Sequence, residues 1–448
     1  MDDAIAAIAT PSGQGAISLI RLSGANVRQI ATAIFSRIIE TPRRQFFGSI
    51  RGADGQVIDE VLLTWFKAPH SYTGEDTIEI SCHGGRLVTQ RVLERVLEAG
   101  ARSAEAGEFS QRAFLNGKMD LTQAEAVMDL ISAQTDLALK AAHEQLSGRL
   151  GHALLDLRQD LIGIVAHVEA YIDFPEEDID PETGAALMAR IDAVKSSVNG
   201  LLATADQGRI LREGVRTVIC GAPNVGKSSL LNVLLGFDRA IVSETAGTTR
   251  DTIEEVINLS GIPLRLIDTA GVRESDDLIE REGISRTQTQ IANAELVLEV
   301  VDASLPKAET AQFEGSLSVP SGTHHLRLLN KIDRGEHTDW SGDEDGVRIS
   351  CTEKQGLDAL SDTILQTLAG PGANWGADLV AINARHKRCL SRAAEDLTIA
   401  GQRLTEGESP EFTALELRSA LDAIGEVIGK TDVEEILGEI FSTFCIGK

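Results

Sequence analysis

One loop-forming segment near the middle of the chain constrains the fold more than any other feature of the sequence. Residues 221–228 read Gly-Ala-Pro-Asn-Val-Gly-Lys-Ser and fit the pattern G-x-x-x-x-G-K-[ST]. An apolar run, 218–220, precedes the pattern, and a helix-like run, 229–235, follows it. In such a strand–loop–helix setting, backbone N–H groups surround phosphate oxygens, Lys227 adds a cation at the β- and γ-phosphates, and Ser228 ligates Mg²⁺. The segment predicts a phosphate-binding loop in an α/β domain.

Two further segments fit the switch regions of a nucleotide hydrolase. The polar stretch 247–251 contains two adjacent threonines, and a switch threonine there can close on Mg²⁺ and the γ-phosphate. The strand-like run 264–267 ends in Asp-Thr-Ala-Gly at 268–271, which places a carboxylate near the metal and a glycine N–H near the γ-phosphate. Both segments follow the phosphate loop in the order that such a domain requires.

The last two segments predict that the base is guanine. Asn330, Lys331 and Asp333 end another apolar run, 326–329. The carboxylate of Asp333 can accept two hydrogen bonds from the N1–H and N2–H₂ edge of guanine, which adenine does not offer, so the site should reject ATP. Residues 350–352, after the run 347–349, suit the final loop over the base. The ordered set predicts GTP as the ligand.

Catalysis must differ from that of many regulatory GTPases, which place a water-orienting glutamine directly after the fourth residue of the 268–271 motif. Here that position is Val272, which neither orients water nor transfers a proton. Several kcal/mol of transition-state stabilisation must come from another group. The nearby candidates, each of which is also typical of a solvated loop, are Asn224, Arg250, Arg273, Glu274 and Glu280.

Composition limits the remaining possibilities. A chain of 448 residues is long enough for two or three domains with an ample core. The net charge of −26 argues against a general nucleic-acid coat protein, although a local basic patch could still contact RNA. Five widely spaced cysteines favour a reducing compartment without a zinc site. The acidic start and the lack of a run of about 20 apolar residues predict a cytosolic protein.

The pattern of apolar residues divides the chain into regions. Residues 1–118 read as mixed α/β, with strands at 5–9, 17–22, 46–50, 57–66 and 77–81 and helices at 26–37 and 86–99. From 120 to about 171 the spacing is that of long bundle helices, and further helices are expected at 184–207, 384–403, 411–428 and 433–444. The economical interpretation is a helical domain, 119–211 and 371–448, interrupted by an inserted G domain, 212–370.

The whole chain also resembles the MnmE/TrmE family, the bacterial tRNA modification GTPases. The residues that carry the resemblance are 71–76 (Ser-Tyr-Thr-Gly-Glu-Asp), 82–85 (Cys-His-Gly-Gly), 107–110, 112–118, 120–126 and the C-terminal 445–448 (Cys-Ile-Gly-Lys). The resemblance implies a multidomain fold of α/β and all-α parts: an N-terminal α/β folate-binding and dimerisation domain at 1–118, the helical domain and an inserted Ras-like α/β P-loop GTPase domain.

The resemblance further implies an activity, cofactors and partners. A homodimer acts with a flavoprotein partner, MnmG, on tRNA, and installs an aminomethyl or carboxymethylaminomethyl group at C5 of the wobble uridine. The family positions that hold 5-formyltetrahydrofolate match Arg21, Glu79, Lys118 and Lys448. Arginine and lysine can pair with the folate carboxylates, and Glu79 can accept from the amino edge of the pterin. Without the family, each is an ordinary charged residue.

The family also supplies the missing catalytic groups. Its members use K⁺, a role that falls here on Asn224, Ser243, Thr245 and Thr248, and Glu280 matches their water-orienting glutamate. Mg²⁺ would be held by Ser228 and Thr249. The residues assigned to GTP binding are Asn224, Val225, Gly226, Lys227, Ser228, Ser229, Ser243, Glu244, Thr245, Ala246, Gly247, Thr248, Thr249, Asp268, Thr269, Ala270, Gly271, Asn330, Lys331, Asp333, Ser350, Cys351 and Thr352.

The C-terminal residues raise two separate questions. Cys445 begins a terminal tetrapeptide, but Gly447 and Lys448 do not fit a prenylation signal. It is either a thiol near the folate site, and thus a candidate catalytic residue, or a small buried residue on the last helix. Because the resemblance places Arg21 and Lys448 on one folate, the C-terminal segment must dock near the N-terminal domain, either its own or a partner's.

Two other functions are alternatives to tRNA modification. A GTP-switched RNA- or ribosome-assembly factor that does no covalent chemistry would carry the same G-domain motifs, whereas the N-terminal folate residues favour tRNA modification. A nucleoside kinase with a phosphate loop is disfavoured by the guanine-specific Asp333.

Overall fold

A computed structural model describes residues 3–173, 184–236, 255–267, 288–309, 318–369, 375, 380–430, 437 and 440–447. They form two compact units. Unit 1 contains Met1–Met128, Leu146–Ser197 and Cys389–Lys448, and unit 2 contains Asp129–Gln145 and Val198–Arg388. No helix among the described residues is both long enough and apolar enough to cross a membrane.

The described strands and helices are as follows. The strands are β1 Ile5–Ile8, β2 Ile17–Ser23, β3 Gln45–Arg51, β4 Val57–Phe66, β5 Thr77–His83, β6 Arg102–Ser103, β7 Val215–Cys220, β8 Glu255–Leu259, β9 Ile262–Leu266, β10 Leu296–Asp302, β11 His324–Asn330 and β12 Val347–Arg348. The helices are α1 Val27–Ile34, α2 Arg86–Glu98, α3 Glu108–Leu115, α4 Leu121–Ser132, α5 Asp136–Leu146, α6 Arg149–Asp173, α7 Gly184–Leu202, α8 Ala205–Glu213, α9 Lys227–Gly236, α10 Leu357–Ala369, α11 Ala384–Glu406 and α12 Pro410–Ile428.

The sheet of unit 1 has the strand order β3-β4-β5-β2-β1-β6, and only the β1–β6 pair is parallel. Alternate residues of the central strands, such as Ile20 and Ile78, are buried against α1 and α2. Residues of the other phase, including Arg21 and Glu79, face the opposite side, where Phe109 of α3 packs on β1. The sheet thus separates an apolar core from a face that carries charged side chains.

The sheet of unit 2 has the order β12-β11-β10-β7-β9-β8 and is parallel except for the β8–β9 hairpin. Its inner strands are mostly apolar, and every residue of β10, including Glu299, is buried, as expected for a parallel sheet covered on both faces. The carboxyl ends of β7, β10 and β11 meet at one edge of this sheet, which is where ligands bind in open α/β folds.

The predicted fold class, with α/β, helical and P-loop G-domain parts, is confirmed, but several predicted helix limits were wrong. The helix expected at 26–37 ends at Ile34, because Phe35 is extended and bridges to Ile50. The stretch 120–171 forms three helices, and the helix expected at 184–207 ends at Leu202. Of the helix predicted at 433–444, residues 433–436, 438 and 439 lie outside the described residues. The domain limits at 118, 211 and 370 stay predictions.

Candidate nucleotide-binding site

The phosphate-binding pattern joins strand β7 to helix α9. Asn224, Val225 and Gly226 lie in the loop, and Lys227, Ser228 and Ser229 begin the helix. The backbone takes positive φ values at Gly221 (+145°), Asn224 (+61°) and Gly226 (+106°). Lys227 donates from Nζ to the carbonyl oxygens of Gly221 at 2.9 Å and Ala222 at 2.8 Å, and burial lowers the pKa of Lys227. The loop therefore curls around a partly buried ammonium group.

Packing requires both glycines of this pattern. A Cβ at Gly221 would lie 2.2 Å from the carbonyl oxygen of Val300, and one at Gly226 would lie 2.3 Å from Nδ2 of Asn330. Both distances are far below van der Waals contact, so no residue with a side chain fits at either position without moving the loop. The sequence pattern is thus a consequence of how closely β10 and Asn330, the last residue of β11, approach the loop.

Asn330 connects the phosphate loop to the predicted base loop. Its buried side chain donates from Nδ2 to the carbonyl oxygen of Val225 at 2.8 Å, and its Oδ1 accepts from the backbone N–H of Cys351 at 3.2 Å. The next residue, Lys331, donates from Nζ to the carbonyl oxygen of Asn224 at 2.6 Å. Three segments that are far apart in sequence therefore meet at one point.

The carboxylate predicted to recognise guanine is held in place by the same loop. Ser350 donates from Oγ to Oδ1 of Asp333 at 2.6 Å, which fixes the orientation of the carboxylate. Burial, together with the negative charge of Asp333, raises the pKa of the Cys351 thiol to about 11, so this thiol is protonated at neutral pH. Thr352 is exposed in the following turn. Of the base-loop residues, Ser350 and Cys351 thus make the contacts.

Sequence reasoning missed one residue of this site, Asp302. It ends strand β10 and accepts from Nζ of Lys331 at 2.7 Å. Burial alone would raise the pKa of Asp302, but hydrogen bonds from Lys331 and Ser304 outweigh it and lower the pKa. The available signal was an apolar strand that ends in an aspartate, in the same way as the strand before Asp268. Asp302 holds Lys331 against the phosphate loop.

Several predicted site residues lie outside the described residues, and their roles stay predictions. They are Ser243, Glu244, Thr245, Ala246, Gly247, Thr248, Thr249, Asp268, Thr269, Ala270, Gly271, Glu280 and Lys448, together with the catalytic alternatives Arg250, Arg273 and Glu274.

Two of the predicted folate residues lie side by side on one face of the sheet of unit 1. Arg21 and Glu79 are direct partners on β2 and β5, and Arg21 donates from Nε (3.0 Å) and Nη2 (2.8 Å) to Oε1 of Glu79. The guanidinium carbon lies 5.4 Å from the ring centre of Tyr72 and 5.9 Å from that of Phe109. Arg21 is therefore engaged by Glu79 and by two aromatic faces, and it orients the carboxylate.

The loop that carries Tyr72 is attached to helix α3 and to the residues after it. Tyr72 Oη and Ser110 Oγ are 2.8 Å apart, and Asn116 donates from Nδ2 to the carbonyl oxygen of Thr73 at 2.8 Å. Lys118, the third predicted folate residue, donates from Nζ to the carbonyl oxygen of Pro69 at 3.1 Å. Lys118 and the Arg21–Glu79 pair thus flank the same loop.

The C-terminal tail lies on the N-terminal part of its own chain. Ile446 forms an antiparallel bridge with Ala106, and a Cβ at Gly447 would lie 2.5 Å from the carbonyl oxygen of Ile8. The predicted docking of the C-terminal segment is confirmed, and it comes from the same chain. The alternative that Cys445 is a buried residue of the last helix was wrong, because the thiol is exposed.

Known proteins share the whole length of this chain. The family described as MnmE helical domain matches residues 121–445, and the TrmE N-terminus family of GTP-binding proteins matches residues 4–118. The tRNA modification GTPase MnmE of Akkermansia muciniphila is 54% identical over 451 residues, which cover 99% of this chain and 98% of the relative. The protein of the same name from Geobacter sulfurreducens is 45% identical over 456 residues, with both chains fully covered.

A solved structure, the G domain of the T. maritima FeoB iron transporter, covers 34% of this chain and 96% of its own at 26% identity, with a TM-score of only 0.26. The family matches and the full-length relatives, by contrast, extend through both units. On these grounds the chain belongs to the MnmE family of tRNA modification GTPases.

Proposed function

We propose that this chain hydrolyses GTP in unit 2 and uses the nucleotide cycle to drive a folate-dependent modification of tRNA. The product would be an aminomethyl or carboxymethylaminomethyl group at C5 of the wobble uridine, made together with a flavoprotein of the MnmG type. The observation that carries the GTP part is the set of contacts that joins Val225, Asn330, Cys351, Ser350 and Asp333. The relatives, which are named tRNA modification GTPases, support the rest.

In this proposal the guanine edge binds Asp333, and the phosphates bind the loop 221–226 and Lys227. Mg²⁺, held by Ser228 and Thr249, would neutralise charge on the β- and γ-phosphates. A K⁺ held by Asn224, Ser243, Thr245 and Thr248 would supply the positive charge that other GTPases take from an arginine. Asn224 suits this role because it is exposed in the phosphate loop and carries an amide oxygen that can ligate a cation.

The residues around Arg21 and Glu79 fit a flat heterocycle with a polar edge. Glu79 offers a carboxylate whose position is fixed by Arg21, and Tyr72 and Phe109 supply aromatic surface beside it. Folate bound there would supply the one-carbon unit, while Lys118 and Lys448 would bind its carboxylates. Cys445, which is exposed beside this domain, stays a candidate catalytic thiol.

We also propose that the chain acts as a cytoplasmic homodimer. On the sheet face that carries Arg21, two exposed apolar side chains, Phe47 and Leu62, are direct partners on β3 and β4. The same row continues through Ser81 to Leu19, which is half-buried. Phe47 is 53% exposed and Leu62 is 37% exposed. An apolar row of this kind is suited to a second copy of the same domain.

The test of the whole proposal is the chemistry of the wobble base. A strain that lacks this gene should contain unmodified uridine at position 34 of the affected tRNAs by mass spectrometry, and the wild-type chain should restore the modification. A chain with Asp333→Asn should not restore it, since the guanine contact is lost. Normal wobble uridines in the deletion strain, together with a defect in ribosome assembly, would favour the alternative of a GTP-switched assembly factor.

A further inference from the structure

Charge is distributed unevenly along this acidic chain. Residues 1–118 carry as many basic as acidic residues, so the entire net charge of −26 lies in residues 119–448. Within 1–118, five exposed cations, here called the cationic patch, lie near the end of β4 and the turn after it. The cationic patch consists of Arg28, Arg43, Arg44, Lys67 and Lys118. Within the N-terminal region 1–118, the cationic patch is the surface on which carboxylates would repel a polyanion least.

The first half of the cationic patch is built around Trp65, near the end of β4. The guanidinium carbon of Arg28 lies 4.7 Å from the centre of the Trp65 ring, and its Nε donates to the carbonyl oxygen of Ile39 at 2.9 Å. The backbone N–H of Arg43 donates to the carbonyl oxygen of Trp65 at 2.7 Å. Arg28 of α1 and Arg43 of the loop after α1 therefore both lie at Trp65.

The second half follows the turn 67–70, directly after β4. Arg43 donates from Nη2 to the carbonyl oxygen of His70 at 3.1 Å, and Lys118 donates from Nζ to that of Pro69 at 3.1 Å. Lys67 begins the same turn, in which the His70 N–H bonds to its carbonyl oxygen. The two halves thus share Arg43 and form one continuous surface.

None of the five cations takes part in a salt bridge within the part of the chain that the structure describes. Other arginines of the same domain are paired with carboxylates, namely Arg21, Arg102 and Arg112. Glu40 lies between Arg28 and Arg43 in the sequence, and Asp76 accepts from the backbone N–H of Ala68, the residue after Lys67. Backbone carbonyls and an aromatic ring therefore hold Arg28, Arg43 and Lys118 without neutralising their charge.

We propose that the cationic patch binds the phosphate backbone of the tRNA. This inference rests on the proposed function. Arginine and lysine on fixed backbone positions match a row of phosphates, and the release of counterions provides the affinity. The cationic patch ends at Lys118, beside the loop that carries Tyr72 and the Arg21–Glu79 pair, so RNA held there would present a nucleotide next to the proposed one-carbon donor. This adjacency favours RNA over an acidic protein surface.

The test compares two double variants of the full-length chain. Arg43→Ala/Arg44→Ala removes two patch cations. Arg86→Ala/Arg91→Ala removes two exposed arginines of α2. This helix begins after the end of β5 that lies farther from the cationic patch, and a strand of the length of β5 separates its two ends by about 20 Å. Binding of a fluorescent, unmodified tRNA transcript is measured at several KCl concentrations. The patch variant should bind the tRNA about tenfold more weakly than wild type, and its plot of log K against log salt should be less steep by about 1.5. The affinity of the control variant should stay within about twofold of wild type.

Each other outcome overturns the inference. Equal losses in the two variants would indicate only a general effect of net charge, and an unchanged patch variant would mean that the tRNA binds elsewhere. Normal tRNA binding with loss of self-association, measured by light scattering, would assign the cationic patch to an acidic protein surface. Mass spectrometry of wobble uridines in a complemented deletion strain distinguishes failure of this inference from failure of the proposed function. If the patch variant restores the modification, only the role of the cationic patch is excluded. If the wild-type chain restores none, the proposed function itself is excluded.

Discussion

At the residue scale, the nucleotide site depends on one buried amide and one glycine that lie in contact. Asn330 bonds to the phosphate loop and to the base loop at once, and Gly226 passes so close to it that no Cβ fits between them. Gly226 belongs to the phosphate-loop motif and Asn330 to the base-recognition motif, and neither motif alone shows that the two residues must fit each other. The structure explains why two motifs that are about a hundred residues apart form one unit.

Gly226→Ala should therefore abolish tight nucleotide binding without unfolding the chain. The added Cβ, 2.3 Å from Nδ2 of Asn330 and on a backbone with φ of +106°, would push the loop away from Asn330. We expect at least a tenfold loss of affinity for a fluorescent GDP analogue, equivalent to about 1.4 kcal/mol. Gly236→Ala, at the end of α9 where a Cβ meets nothing within 4 Å, is the control and should bind normally.

Asn224→Gly should test the proposed K⁺ site, because glycine removes the amide and keeps the left-handed backbone. Since Val272 cannot orient water, loss of the cation should lower kcat about tenfold or more and leave GTP affinity within a few-fold. Wild-type protein in Na⁺ should behave in the same way. Asn293→Ala, at an exposed position of the same unit, should hydrolyse GTP normally in K⁺. Equal wild-type turnover in the two salts would exclude a K⁺ requirement.

At the element scale, helix α3 holds the N-terminal strand and the Tyr72 loop through one buried arginine. Arg112, only 1% exposed, donates to Glu108 at 2.9 Å, to Asp3 at 2.8 Å and to Glu75 at 3.2 Å. Hydrogen bonds from Arg102 and Arg112 hold the pKa of Asp3 at about 2. Burial opposes ionisation of Glu108, but bonds from Arg102 and Arg112 still lower its pKa.

This network should make unit 1 sensitive to acid. Carboxyl groups with lowered folded-state pKa values stabilise the fold above their unfolded pKa of about 4 and lose that contribution as pH falls towards 2. Arg112→Leu should cost about 3 kcal/mol at pH 7 and less at pH 3, because Glu108 would lose a buried partner. Urea unfolding, followed by pulsed hydrogen exchange of β2 and β5, measures this cost. Arg91→Leu, at an exposed pair, should cost at most about 0.5 kcal/mol at either pH.

Elements with strong periodicity were predictable, and those decided by contacts were not. Helix α2 and strand β4 lie where the pattern placed them. Helix α3 was missed because its short run mixes buried Glu108 and Arg112 with apolar residues, so the spacing of apolar residues does not mark it. The predicted helical stretch breaks at Gly148, where φ is +87°, which the absence of proline did not reveal. Likewise, only the contact with Lys331 in the structure identified Asp302 as a residue of the nucleotide site.

At the scale of the whole molecule, the contacts described for each site remain within one unit. The described bonds of the nucleotide site join residues of unit 2, whereas Arg21, Glu79, Lys118 and the C-terminal tail belong to unit 1. Helix α5, assigned from sequence to the helical domain, falls mostly in unit 2. A change in either site should therefore leave the residue contacts of the other intact.

Deletion of residues 445–448 should separate the two activities. The bridge between Ile446 and Ala106, and the close approach of Gly447 to Ile8, attach the tail to the domain that carries Arg21 and Glu79. Without the tail, 5-formyltetrahydrofolate should bind at least tenfold more weakly by calorimetry, and wobble-uridine modification should cease. GTP hydrolysis should persist, because the residues assigned to it lie outside the deletion. Cys445→Ser, which keeps the bridge, should bind folate normally and lose modification only if the thiol reacts. Unchanged folate affinity in the deletion would remove the tail from the site, and loss of GTPase activity would indicate that the chain had misfolded.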